Sequence, residues 1–221
     1  MPRRVELLPP RPVLHPLREP GSARSSISRL SHHRMRVTID HRPLAGITPA
    51  MLLWWFCHIG DNVSYAGQEM PGYLAWHPLD HVRWELARPA PGGGAGEGAR
   101  YRIVEAFGRN EDFGVDSVER VEKLDETGIR LVRRVLGAQV FQLEHTWSAG
   151  SEGTHYVSVM DLGALGRAAA PVNRYLTSRV FPPEMAEAWV RHNVEEVGVL
   201  EHLLPEVLRQ RPDVAASLDP A

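Results

Sequence analysis

The chain has 221 residues, of which 43% are hydrophobic and 24% charged, with a formal net charge of -2. That length suits a single domain with a substantial core, and the near-balanced charge gives no electrostatic reason to expect nucleic acid or an anionic membrane as partner. The lone cysteine, Cys57, excludes an intrachain disulfide framework and fits a reducing cytoplasm. Its apolar neighbours point to a buried, inert thiol.

Residues 1–36 are rich in Arg, Pro and Ser and lack hydrophobic periodicity, so a disordered tail is expected there. The pair Arg3-Arg4 is not followed by the apolar core of an export signal, and Met35 is an alternative first residue. No apolar stretch approaches the roughly 20 residues that span a bilayer. Thr48-Pro49 predicts a helix start, with the hydroxyl as cap and proline in the first turn, and Gly60-Asp61-Asn62 stops that helix. Its Trp54-Trp55 pair suits a homodimer interface as well as it suits the core. Residues 71–88 read as extended and partly irregular, and the glycine-rich stretch 89–98 as a loop.

Beyond that loop the chain becomes β-prone. Tyr101 to Phe107, Asp116 to Lys123, Ile129 to Val135, Val140 to Trp147 and His155 to Leu162 are separated by short polar turns, which predicts an antiparallel meander. Residues 164–180 read as a short helix or lid. Pro182-Pro183 opens a long helix to about Gln210, and residues 211–221 are expected to be a second disordered tail. The expected fold is α+β: a curved antiparallel sheet around one long C-terminal helix, a helix-grip arrangement over residues 37–210, with a cavity between sheet and helix.

On that helix Met185, Trp189, Val199, Leu200, Leu203 and Val207 form one apolar stripe, and His192 and Glu196 fall in its middle. Residues four apart share a helix face, whereas Glu195 points well away. A carboxylate on a buried face is costly unless it is paired or holds a cation. A second cluster, His77-Pro78-Leu79-Asp80-His81, offers two histidines on one side of an extended segment; spacing alone does not choose between them. Asp80 could simply orient one of them. Glu105 interrupts the apolar run Ile103-Val104-Glu105-Ala106-Phe107, as either an outward residue or a ligand. His145 and His155 lie on neighbouring predicted strands. Imidazole and carboxylate donors together suit a divalent ion.

Several motifs resemble the 2,4-diacetylphloroglucinol hydrolases and the related phloretin hydrolases. They are Gly46-Ile47-Thr48-Pro49-Ala50-Met51-Leu52-Leu53-Trp54-Trp55-Phe56 and Tyr73-Leu74-Ala75-Trp76-His77-Pro78-Leu79-Asp80-His81. Val104-Glu105, His145-Thr146-Trp147 and His192 with Glu196 follow in the same order, over residues 44–208. The resemblance implies a START-like helix-grip fold and zinc held by His81, Glu105, His192 and Glu196, with Tyr73 holding a phenolic oxygen and His145 near the attacked carbonyl. It implies hydrolysis of a carbon–carbon bond between an aromatic ring, or a β-diketone, and its acyl group, releasing a carboxylic acid. The substrate would be a small aromatic ketone. Trp84 and Pro89 stand where the family has asparagine and aspartate, so that wall of the pocket differs. Three rivals share the pocket: a non-catalytic carrier of an aromatic or apolar molecule, a non-haem iron oxygenase using two histidines and one carboxylate, and a polyketide cyclase or isomerase that works without attack by water.

Overall fold

The computed structural model describes residues 4–218. Strands β1 (Arg24–Arg29) and β2 (Met35–Asp40) come first, and helix α1 (Pro49–His58) follows. The Thr48 side chain caps α1 by accepting from the Met51 N–H at 3.2 Å, as the sequence predicts. A small hairpin, β3 (Asn62–Tyr65) and β4 (Gln68–Pro71), leads into a single helical segment, α2 (Gly72–Trp76).

Strands β5 (His81–Arg88), β6 (Arg100–Ala106), β7 (Gly114–Asp125), β8 (Gly128–Val135), β9 (Ala138–Gly150) and β10 (Gly153–Leu162) form the expected meander. All neighbours are antiparallel, and β10 pairs back onto β2, giving one sheet in the order β1-β2-β10-β9-β8-β7-β6-β5. Register shifts at His81/Arg83, Val121/Lys123 and Arg133/Arg134 mark bulges that bend the sheet. Residues 164–180 contain a short helix, α3 (Ala170–Tyr175), continued by a π-helical turn. Helix α4 (Pro183–Arg209) closes the fold, followed by α5 (Pro212–Leu218).

Sheet and helix together make the α+β helix-grip fold. The stripe residues Met185, Trp189, Val199, Leu200, Leu203 and Val207 are all buried. They divide between two apolar clusters: one gathers Trp55, Phe56, Trp76 and Trp147, the other Val37, Ile39, Phe107 and Met160. No helix among the described residues is long and apolar enough to cross a membrane.

Three segments differ from expectation. Residues 4–36 are not a disordered tail. Val5 packs on Val104 and Ala106, Arg18 bonds the carbonyls of Arg42 and Pro43 and pairs with Glu201 at 2.7 Å, and β1 covers the edge of β2. The segment builds no core of its own, so it shows no periodicity; it borrows single anchor points on the body. Likewise α5 occupies most of the expected C-terminal tail, and Arg211 before it reaches the Asn62 carbonyl and lies over Trp54. Residues 1–3 and 219–221 of the two expected tails lie outside the described residues. Residues 71–76 coil rather than extend. The N–H groups of Gly72 and Tyr73 find the carbonyls of Asp61 and Ile59, and the turn places Tyr73 and Trp76 in the core.

Candidate metal centre and cavity

His81 opens β5 and Glu105 sits near the end of β6, and the two are direct partners in the β5–β6 ladder. The middle of α4 faces them with His192 and Glu196. His81 Nε2 lies 3.5 Å from Glu105 Oε1 and 3.4 Å from Glu196 Oε2; His192 Nε2 lies 3.9 and 3.7 Å from the second Glu105 oxygen and from Glu196 Oε2. A tetrahedral ion with ligands about 2.0–2.2 Å away separates its donors by roughly 3.3–3.6 Å. His81, Glu105 and His192 thus come close enough to share one small cation, and Glu196 stands 3.4 and 3.7 Å from the two histidines.

The hydrogen bonds behind them fix which atoms face inward. His81 Nδ1 lies 2.6 Å from the Tyr73 carbonyl, which can only accept, so the proton is on Nδ1 and Nε2 carries a lone pair. His81 is fully buried, and its Nε2 has no hydrogen-bond partner among the described residues. Burial lowers its pKa to about 4, so the ring is neutral and presents that lone pair to two carboxylates. A cation between them removes the conflict.

His192 Nδ1 lies 3.1 Å from Asp80 Oδ2, a carboxylate that orients the ring and strengthens its other nitrogen as a ligand. Asp80 is itself held by the N–H groups of Gly108 and Arg109, consecutive left-handed residues with φ of 62° and 56° that turn both amides onto one anion. Tyr73 donates to Glu105 Oε1 and stacks flat on His81. Asn193 Nδ2 donates to Glu196 Oε1 at 2.6 Å.

The charges divide unevenly. Burial alone would discharge His192, but Glu196, the Asp80 hydrogen bond and Glu105 together raise it to about 9. Burial would also raise Glu196, yet His192 and His81 bring it below the usual carboxylate range. Glu105 rises through burial, with Glu196 adding to the effect. Burial works on Asp80 too, but the hydrogen bond and charge of His192 hold it well below its ordinary value.

His77, the alternative ligand, is differently placed. Its Nδ1 accepts from the Asp80 N–H at 3.1 Å, and its Nε2 therefore donates to Glu195 at 3.2 Å. His77, Asp80 and His192 do form a second group close enough to hold an ion. There, however, every inward atom already has a hydrogen-bond partner.

His145 on β9 does not touch the four donors. The chain turns into it at Gly128 (φ 154°), where any Cβ would overlap the His145 carbonyl. Its Nδ1 lies 2.9 Å from Ser158 Oγ, which is 3.1 Å from His41 Nε2, which in turn is 3.2 Å from Asn193 Oδ1. Asn193 spends its amide on Glu196, so its oxygen accepts from His41; Ser158 then donates to His145, leaving the His145 proton on Nε2. Burial lowers His41 to about 3 and His145 to about 4, so both rings are neutral.

Sequence reasoning missed this relay, and it missed the Tyr156 hydroxyl, which is buried beside His145 without a hydrogen-bond partner among the described residues. A signal existed for Tyr156 and Ser158: with Met160 they alternate along an apolar strand.

Beside the four donors lies a cavity of about 360 Å³ between the sheet, the first turns of α4 and residues 176–181. Glu105 belongs to both the cluster and the cavity wall.

No family model matches the chain, and no curated protein matches it in sequence. Solved structures offer distant likenesses. Ara h 8.0201 is 13% identical, with 79% of this chain and 99% of that one covered and a TM-score of 0.46. Protein Ms6760 from Mycobacterium smegmatis is 12% identical, with 79% and 95% covered and a TM-score of 0.44. EF2215 from Enterococcus faecalis, a conserved protein of unknown function, is 10% identical, with 89% and 92% covered and a TM-score of 0.46. With identities this low, function is read from the side chains.

Proposed function

We propose that the chain binds a small, largely apolar aromatic ketone in its cavity and, with zinc at His81, Glu105, His192 and Glu196, hydrolyses the bond between the aromatic ring and its acyl carbon. The observation that carries the metal is the buried, unpartnered Nε2 of His81 aimed at two carboxylates. The sequence resemblance to acylphloroglucinol hydrolases supplies the reaction class.

An aryl carbanion is a very poor leaving group, so the ring must first take a proton at the acyl-bearing carbon. The substrate is then a β-diketone, and attack of water on its acyl carbonyl forms the C–O bond of the acid, breaks the ring–acyl bond and expels an enolate, the conjugate base of the phenol, which takes up one of the water's protons. Zinc, when bound, supplies Lewis acidity toward a ligand oxygen. The rest belongs to the chain. Burial, reinforced by Glu105, raises the Tyr73 pKa well above its ordinary value and keeps the hydroxyl protonated. That proton is donated to Glu105, so the Tyr73 oxygen orients a phenolic hydroxyl by accepting from it. The Nε2 proton of His145 serves as a donor toward the carbonyl oxygen. Positioned proton donors of this kind contribute about 10²–10⁴-fold. The apolar wall keeps bulk water from the ring.

The test is elemental analysis of purified protein, followed by incubation with acylphloroglucinols and mass spectrometry. Roughly one zinc per chain and release of a deacylated ring with a free acid are expected. Binding without metal or turnover would sink the hydrolase.

A second reading, a carrier that performs no chemistry, has its own support. His192 and Glu196 can neutralise each other as an internal ion pair, and most of the cavity wall is apolar.

A further inference from the structure

Toward the end of the cavity away from Glu105, one buried carboxyl oxygen lacks the partner its burial calls for, and a half-buried arginine stands beside it. Glu119 is only 4% exposed, lines the cavity, and its Oε2 has no hydrogen-bond partner among the described residues. Arg133 also lines the cavity, and no hydrogen bond or salt bridge ties it to any described residue. The two are neighbours by register: Arg120 pairs with Val132, and Glu119 and Arg133 are the next positions along β7 and β8. Ser117 lines the same wall two residues from Glu119.

An unsatisfied buried carboxyl costs about as much as a lost hydrogen bond or more. Burial raises Glu119 to about 7, with the Ser117 hydroxyl and the Arg133 charge pulling the other way. A group so placed in an otherwise apolar wall is explained if a ligand supplies the missing partner.

We propose that Glu119, Ser117 and Arg133 form a polar anchor for a hydroxyl group at the far end of the ligand whose other end meets the His81–Glu105–His192–Glu196 cluster. This rests on the cavity-binding reading above and adds to it the chemistry of the distal group. The charge pattern selects that chemistry. A ligand carboxylate would face Glu119, and an ammonium would face Arg133. A hydroxyl suits both, donating to Glu119 Oε2 while accepting from the guanidinium. Spacing gives the reach. Glu119 pairs with Tyr101, four residues along β6 from Glu105, or about 13 Å of strand. Ile103, Leu131 and Leu143 line the wall between, so the connecting part of the ligand is apolar.

Ethers of phloroglucinol test this without depending on catalysis, because they have no acyl bond to cleave. The octyl, omega-hydroxyoctyl and omega-carboxyalkyl ethers are titrated against the full chain, with Trp189 fluorescence in the cavity wall as readout. The hydroxyl ether is expected to bind about tenfold or more tighter than the octyl ether, and the carboxyalkyl ether more weakly than the hydroxyl one. Glu119→Leu and Arg133→Leu should each bring the hydroxyl preference below about twofold, while leaving octyl binding unchanged or tighter. Glu119→Gln, which keeps an acceptor, should retain most of it. Thermal unfolding checks that each variant folds.

Equal binding of the octyl and hydroxyl ethers, an undiminished preference in both leucine variants, tightest binding of the carboxyalkyl ether, or no binding of any probe overturns the proposal. Loss of the preference in the leucine variants, in a protein that holds no zinc and cleaves no ketone, keeps the anchor and removes only the hydrolase.

Discussion

His77 and His81 stand four residues apart, both with no exposed surface, each beside His192 and each near a glutamate of α4. By burial and by nearest charges they are twins. Their hydrogen bonds separate them. Both nitrogens of His77 have partners, whereas the inner nitrogen of His81 has no hydrogen-bond partner among the described residues. A satisfied imidazole props up the backbone around it; an unsatisfied one facing carboxylates marks where a ligand completes the structure. What distinguishes a site from a strut is therefore the unmet valence, rather than the residue type or its depth.

Substitution can break this distinction, and the largest effect is expected at the unsatisfied cluster. His192→Ala or Glu196→Ala should abolish both bound metal and turnover, as read by elemental analysis and product assay; full activity in a metal-free variant would refute the centre. Next comes support of the ligand. Asp80→Asn keeps the shape but weakens the hold on His192, and metal affinity in a chelator competition should fall about 10–100-fold. An unchanged affinity would show that His192 needs no orienting carboxylate.

The neutral histidines sharpen the comparison through pH. His41, His81 and His145 titrate at about 3, 4 and 4 when folded, against 6.5 ordinarily. Between those values the unfolded chain binds more protons at these three rings, so their contribution is fully present above pH 6.5 and declines as pH falls toward 4. Glu105 and Glu119, raised to about 7, hold protons in the folded chain between about 4.5 and 7 and offset up to two of the three. Each histidine contributes up to about 1.4 kcal/mol per unit. His192, raised to about 9, stays protonated in both states below about pH 5.5 and adds little slope there. Urea midpoints of the metal-free chain carrying Glu105→Gln and Glu119→Gln, from pH 4 to 7, should trace the histidine decline without that offset; a flat profile there would mean that these rings are solvated. The smallest effect belongs to the satisfied side. Glu195→Gln still accepts from His77, so stability should change by less than about 1 kcal/mol and metal content not at all. Loss of metal there would erase the contrast between neighbouring glutamates.

The long helix and its paired ligands were legible because a histidine and a glutamate interrupting an apolar stripe leave a periodic signature. The meander was legible for the same reason. The remainder depends on contacts that no local pattern encodes. Asp80 could be seen as an orienting group, but its partner is His192, more than a hundred residues away, and only the fold brings them together. His41 is held by Ser158 and Asn193 on two other elements, a partnership that its local sequence does not signal. The N-terminal stretch was misread because its composition matches disorder, while its order rests on a few arginines reaching main-chain carbonyls.

One of those arginines, Arg11, holds the carbonyls of both Leu74 and His81. Translation begun at Met35 would therefore yield a polypeptide with its full complement of donor residues but without the tether on the peptide group of the first histidine donor. It would also leave β2 as a bare rim on which another sheet could grow. Shortening the gene in this way would be expected to trade metal retention and solubility together, even though no coordinating side chain had been altered.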